Sequence, residues 1–226
     1  MRVAIAGAGA VGRSIAAELI ENTHDVMLIE RDLAAIEPET VENAEWVHAD
    51  ACELASLEEA GIQSCDVVIA ATGDDKVNLV VSLLAKMEFA VRRVVARVND
   101  PRNEWLFNDT WGVDVAVSTP RMLAAVVEEA VSVGDLVRLM TLRQGRANLV
   151  EVTLPEATPL AGRPVRELRL PHDSALLVIL RGGRVIVPQP DDPLEGLDEL
   201  LLVATADVEE EIRTALGAKP RAVPKG

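Results

Sequence analysis

Three glycines and one carboxylate carry the first chemistry legible in this chain. Gly7, Gly9 and Gly12 stand in the order G-x-G-x-x-G. Glu30 follows at close to the roughly 20-residue distance at which such a motif carries a ribose-binding acid. Each position has a physical task in holding a dinucleotide. Gly7 permits a tight turn, Gly9 lets the backbone approach a pyrophosphate, and Gly12 lets a helix pack against a strand. A carboxylate at Glu30 accepts from ribose hydroxyls and repels a 2′-phosphate, which disfavours NADP.

The elements needed to position these groups are present in the surrounding sequence. Arg2 to Ala6 is an apolar run suited to a strand buried on both faces. Val11, Ile15, Ala16 and Leu19 recur at helical spacing. Val26 to Ile29 forms a second apolar run that stops at Glu30. The free N–H groups and positive dipole end of the helix then face the phosphates. Arg31 comes next, and strand alternation sends its side chain to the opposite face from Glu30.

Further strands are expected at Glu45–His48, 66–71, Arg93–Val98 and 113–117, with helices over 53–60, 75–88 and 101–109. This alternation predicts a Rossmann-like, doubly wound parallel sheet of order 3-2-1-4-5-6. In that fold the carboxyl ends of the strands converge on one crevice. Asp50, Thr72, Gly73 and Arg97 sit at or near such ends, Arg97 with a bidentate fork suited to phosphate. Asp75 and Asn78 open the helix after Gly73, placed either to cap it or to reach a ligand, with capping favoured for Asp75. Ser118-Thr119-Pro120 marks a helix start, with Thr119 as cap. The apolar stripe that follows, Met122, Leu123, Val126, Val127, Ala130 and Val131, comes after the sheet is complete.

From about Leu136 the composition changes to short strand-like runs between Pro- and Gly-rich turns, ending in a helix at about 208–216. The expected organisation is a nucleotide-binding domain at 1–134, a smaller α+β domain at 135–217 and a flexible tail at 218–226. Composition narrows the function. Aromatic residues are 2% of the 226, with no Tyr, and net charge is −15, from 22 basic and 37 acidic residues. Both argue against nucleic acid as a partner. Two cysteines fit a reducing compartment. No apolar stretch approaches a spanning helix, and the N-terminus runs straight into a strand, so a cytoplasmic protein without a leader is expected. His48, Asp50 and Cys52 alternate, but no fourth ligand of matching spacing accompanies them, and no metal site is expected. No Cys–His or Ser–His–Asp set is evident, and the second domain is poor in His, Tyr and Lys. No catalytic residue is therefore assigned. Binding without turnover is favoured over a small NAD-dependent oxidoreductase.

Several strings resemble the N-terminal RCK (regulator of potassium conductance) domain. They are AGAGAVGRSIAAEL from Ala6, Glu30, Ala49–Ala51, ATGDDKVNL from Ala71, ARVNDP from Ala96 and STP from Ser118. Leu160 to Leu168 (LAGRPVREL), Arg181-Gly182-Gly183, Val187-Pro188 and Asp198-Glu199-Leu200 are similar to the C-terminal RCK domain. The resemblance covers about residues 1–217 and is nearest to the TrkA/KtrA-type regulatory subunits of potassium uptake systems. It implies a cytosolic, non-enzymatic subunit, peripheral at the inner membrane face, that assembles from dimers into rings beneath a membrane-embedded potassium translocator. It implies NAD(H) or ATP/ADP in the N-terminal domain and, in some members, cyclic di-AMP in the C-terminal one. By resemblance Gly7, Ala8, Gly9, Ala10 and Val11 lie at the phosphates and Glu30 at the ribose. Asp50 and Ala51 fall near adenine, Thr72 and Gly73 over the phosphate side, and Arg97 on phosphate. Leu197 departs from the pattern, which has Gly before the Asp. A nucleotide sensor acting on another channel or antiporter is the remaining alternative.

Overall fold

The computed structural model describes residues 1–131, 134–142 and 147–218, the helical residues 128–131 by backbone alone. The expected tail lies outside the described residues except for Ala218. The chain divides into two compact units, Met1–Arg121 and Met122–Gly226.

In the first unit, β1 (Arg2–Ala6), α1 (Ala10–Glu21), β2 (Asp25–Glu30), β3 (Glu45–His48), α2 (Leu54–Glu59), β4 (Val67–Ala70), α3 (Asp75–Met87), β5 (Arg93–Val98) and β6 (Val115–Ser118) follow in order. The six strands form one sheet of order β3-β2-β1-β4-β5-β6, every pair parallel. This is the expected order. The reason is visible in β1, where successive residues serve opposite cores. Val3 and Ile5 pack with Val26, Leu28 and Ala16 of α1, while Ala4 and Ala6 pack with Met27, Ile29, Val68, Ala96 and the α2 and α3 residues Leu57 and Leu79. A sheet covered on both faces requires apolar residues at every strand position, and a run without alternation is what the sequence has.

The helix expected over 101–109 forms instead as two 3-10 segments, Pro101–Leu106 and Asp109–Trp111. Asp100 and Asn108 each accept from the amide two residues ahead, at 2.9 Å, restarting the chain direction at each point. Such local side-chain bonds compete with the α-helical ladder. The sixth strand starts two residues later than expected, since Asp114 is held by Lys86 Nζ and by the Val94 amide, each at 2.7 Å. α4 spans Thr119–Val131, so Thr119 is its first helical residue rather than its cap, and the helix runs through the division between the units.

The second unit holds β7 (Leu136–Leu142), β8 (Ala147–Thr153), β9 (Ser174–Arg181), β10 (Arg184–Ile186), β11 (Glu199–Ala204) and α5 (Glu209–Leu216). Its sheet has the order β10-β9-β11-β8-β7, all antiparallel. Val150, Val152, Ile179, Leu200, Leu202, Ile212 and Leu216 fill the core beneath it. Asp198 is fully buried there and takes the Arg181 guanidinium in a two-pronged pair at 2.6 and 2.8 Å. Just before it, Leu197 adopts φ +66°, so the left-handed turn survives although glycine is missing.

Candidate functional site

The glycine turn leaves β1 at Gly7, whose φ is +101°. Its amide donates to the Ile29 carbonyl at 2.9 Å. A Cβ at Gly7 would lie 2.9 Å from Thr72 Cα, so the β1 and β4 loops touch here. A Cβ at Gly12 would lie 1.9 Å from the Gly7 carbonyl oxygen, which makes Gly12 a packing requirement of the fold. Gly9 is different. It caps α1 with ordinary extended angles, and a Cβ there would meet nothing within 4 Å. The same open space lies over Gly73. Neither glycine is demanded by the protein's own packing. Both leave backbone accessible where a phosphate group would approach. Ala10 and Val11 occupy the first turn of α1, where amides lack intrahelical partners. Ala8 is buried in the core beside Val3 and Ile5 and offers only its backbone.

Glu30 closes the crevice from β2. Its Oε2 accepts from the Ala8 amide at 2.9 Å and its Oε1 from the Asp32 amide at 2.9 Å. A carboxylate has about four acceptor positions, so both oxygens retain capacity for ribose hydroxyls. The end of β3 is tied in through the Ala49 amide, which donates to the Glu30 carbonyl at 3.0 Å. Asp50 accepts from the Cys52 amide at 2.9 Å. Arg31 reaches Asp50 at 3.6 Å. The opposite-face placement expected of Arg31 does not apply, because β2 ends at Glu30 and alternation ends with it. Burial, followed by the nearby Asp50 charge, raises the pKa of the Cys52 thiol. Ala51 is buried in the main core.

Thr72 is organised by Asn78, which is fully buried in α3. Asn78 Oδ1 accepts from the Thr72 amide at 2.9 Å and hydroxyl at 2.6 Å. Its Nδ2 donates to the carbonyls of Thr72 at 3.2 Å and Arg97 at 2.9 Å. The Thr72 hydroxyl is thereby turned inward, and the arm offers backbone instead. Asp75 is not the cap of α3. Asp74 is, accepting from the Lys76 amide at 2.8 Å, while the Asp75 carboxylate faces the loop after β5. Asn78 is legible as the single amide on the apolar face of α3; nothing local in the sequence announces its partners.

Arg97 is the penultimate residue of β5, in register with Val117 of β6. Its Nε is enclosed without a hydrogen-bond partner among the described residues. An enclosed guanidinium N–H without an acceptor fits an anionic oxygen supplied from outside the chain. The expected residues from β1, β2 and β4 are thus brought into direct contact. β3 joins through Glu30, and β5 through Asn78.

The TrkA-N domain family matches residues 3–119 and the TrkA-C domain family residues 149–217. The Trk system potassium uptake protein TrkA of Mycobacterium tuberculosis (strain CDC 1551 / Oshkosh) is 65% identical over 216 residues, covering 96% of this chain and 98% of that protein. Among solved structures, the GsuK channel bound to NAD aligns with a TM-score of 0.67 at 18% identity, covering 98% of this chain and 40% of that one. A crystal structure of GsuK bound to ADP aligns with a TM-score of 0.51 at 27% identity, covering 57% of this chain and 33% of that one.

Proposed function

Because the chain belongs to the TrkA family in both of its domains, we propose that it is a cytosolic nucleotide-binding subunit of a potassium uptake system. In this reading it sits at the inner face of the cell membrane and regulates a membrane-embedded potassium translocator. Among the described residues no helix is long and apolar enough to cross a membrane; the proposed membrane link is the translocator itself.

The observation that carries the reading is the crevice. It has open space over Gly9 and Gly73, a carboxylate at Glu30 with spare acceptor capacity, and an enclosed Arg97 Nε without a partner among the described residues. Those groups suit an adenosine diphosphate moiety. The first amides of α1, at Gly9, Ala10 and Val11, face the phosphates, with the Gly7–Ala8 turn, whose own amides are held by Ile29 and Glu30, placing them, and Arg97 supplies a cation to them. Glu30 takes the ribose, and the Asp50–Ala51 backbone borders the adenine. NAD(H), ATP and ADP all contain this moiety, and the relatives described as bound to NAD and to ADP accord with it. No catalytic residue is assigned. His48 turns its Nε2 to the Arg31 carbonyl at 2.9 Å, away from hydride chemistry.

Regulation follows from linkage. A nucleotide shifts an assembly between two shapes only by as much as its affinities for them differ, about 1–3 kcal/mol per site in typical cases. α4 supplies the means of assembly. Leu123, Val126 and Val127 are 65%, 57% and 54% exposed on a helix with an apolar stripe, a face suited to a second copy. The test is calorimetric titration with ADP, ATP and NADH of the wild type, Gly9→Asp and Glu30→Ala. Weakened binding in the variants supports the site, and unchanged affinity in both overturns it. Co-purification from membranes tests the partner. A potassium translocator is expected, and recovery of a different channel or antiporter instead would overturn the potassium assignment.

A further inference from the structure

The Thr72–Gly73 arm is bonded to more than its own helix. Asp75 is buried at the start of α3. Its Oδ1 accepts from the Asn99 amide at 2.6 Å and from Asn99 Nδ2 at 3.0 Å. Its Oδ2 accepts from the Asp100 amide at 3.0 Å and from Asn103 Nδ2 at 2.8 Å. Four N–H groups fill the acceptor capacity of one carboxylate. Asn99 Nδ2 also donates to the Thr72 carbonyl at 3.0 Å, the same oxygen that Asn78 holds. Thr72 therefore cannot shift without disturbing both Asn78 and the Asn99 turn.

The far side of this clamp leads out of the crevice. Asp100 opens the 3-10 segment Pro101–Leu106 by accepting from the Arg102 amide at 2.9 Å. Within that segment, Glu104 pairs with Arg121 in the first turn of α4. The Glu104 and Arg121 side chains are 37% and 61% exposed, so the pair is screened and too weak to fix the segment by itself. The fixed end is the buried carboxylate. A short segment anchored at one end by Asp75 and at the other by a soft surface pair has the build of a connecting rod.

We propose that Asp75, acting through Asn99 and Asn103, is a positioning residue that couples the Thr72–Gly73 arm of the crevice to the first turn of α4. The proposal rests on the crevice being the nucleotide site. Seating a diphosphate against Gly73 restrains Thr72. The restraint passes through the Thr72 carbonyl to Asn99, through Asp75 to Asp100 and Asn103, and along Pro101–Leu106 to Glu104 and Arg121. The bonds that Asp75 makes go to Asn99, Asp100 and Asn103 of the loop after β5. Their effect is on how the occupied state is reported.

The test is hydrogen–deuterium exchange of amides 99–107 and 119–127, with and without saturating ADP and, separately, NADH, alongside calorimetry on the same full-length protein. The wild type should show exchange slowed by about threefold or more in both stretches on saturation. Asn103→Ala removes one donor at a half-exposed position, so it should keep nucleotide affinity within about threefold while losing the slowing at 119–127. Asp75→Asn should abolish the slowing in both stretches. If it does not fold, Asn103→Ala alone decides. A purely structural role would change exchange equally with and without ligand. Persistence of the ligand-induced slowing in Asn103→Ala overturns the proposal. So does a wild type that binds nucleotide by calorimetry with no slowing in either stretch, which leaves the site reading intact. Absence of calorimetric binding overturns the site reading and the coupling together.

Discussion

A methyl group at Gly9 meets no atom within 4 Å, whereas one at Gly12 would stand 1.9 Å from a backbone oxygen. Two glycines of one motif therefore answer to different requirements, and substitution separates them. Gly9→Ala should lose under about 1 kcal/mol of stability, the penalty of alanine at a helix cap. It should also weaken ADP binding by at least about tenfold, or 1.4 kcal/mol, by filling the open space. Gly12→Ala should destabilise the first unit by about 2 kcal/mol or more, because a backbone carbonyl cannot move aside. Thermal unfolding and calorimetry on both variants separate the two effects. Leu197 is the converse case, a side chain held at φ +66° and 54% exposed. Leu197→Gly should raise the stability of the second unit by about 1 kcal/mol, relieving a left-handed residue at little cost in burial. No gain in its unfolding midpoint would show that Leu197 packing outweighs the strain.

At the scale of elements, α3 does two jobs from its first turn. Its apolar residues cover the sheet, while Asp75 and Asn78 bind the loops on either side. Burial pushes the Asp75 carboxyl up, but the hydrogen bonds from Asn103, Asn99 and Asp100 together outweigh burial and hold its pKa below the ordinary carboxylate value. A depressed folded value means stability that is fully present above the unfolded value of 3.8 and lost as pH falls through the folded one. Asp75→Asn should therefore be less stable than the wild type at pH 7, with the difference shrinking as pH falls below about 4. Unfolding midpoints from pH 7 to pH 2.5 check this. A constant difference would show that the carboxylate charge contributes nothing. The loop after β5 shows the limit of local reading. The pattern in 101–109 suits a helix, but Asp100 and Asn108 divert it into two 3-10 segments. Their side chains favour restarting the chain over extending one ladder.

At the scale of the whole molecule, two units of different construction share one helix. The first is a parallel sheet with both faces covered, the second an antiparallel sheet with a core on one side. If α4 pairs with a second copy, charging its exposed face should break the assembly and spare the fold. Leu123→Asp with Val127→Asp should shift the protein from dimer or larger to monomer in sedimentation, with the unfolding midpoint of the first unit unchanged. An unaltered sedimentation profile would place the oligomer contact elsewhere. A regulator of this design needs such an assembly, because coupling per site is small and gains weight only when several sites bias one equilibrium.

Sequence by itself determined the strand order, the glycine turn and the acid at Glu30. Each is written in short-range pattern: unbroken apolar runs, fixed glycine spacing and an acid at a strand end. It also carried the family resemblance, through strings spread over both domains. Only the tertiary structure decided that Asp74 rather than Asp75 caps α3, and that the Thr72 hydroxyl turns inward to Asn78. It alone showed that Arg31 reaches Asp50 and that Arg97 holds an enclosed N–H without an acceptor among the described residues. These contacts join residues brought together by strand order, and their geometry depends on where each strand stops. Side chains such as Asp75 and Asn103 lie 28 positions apart in the chain and 2.8 Å apart in space. No local periodicity encodes that meeting. Only the packing of α3 against β4 and β5 of the sheet produces it.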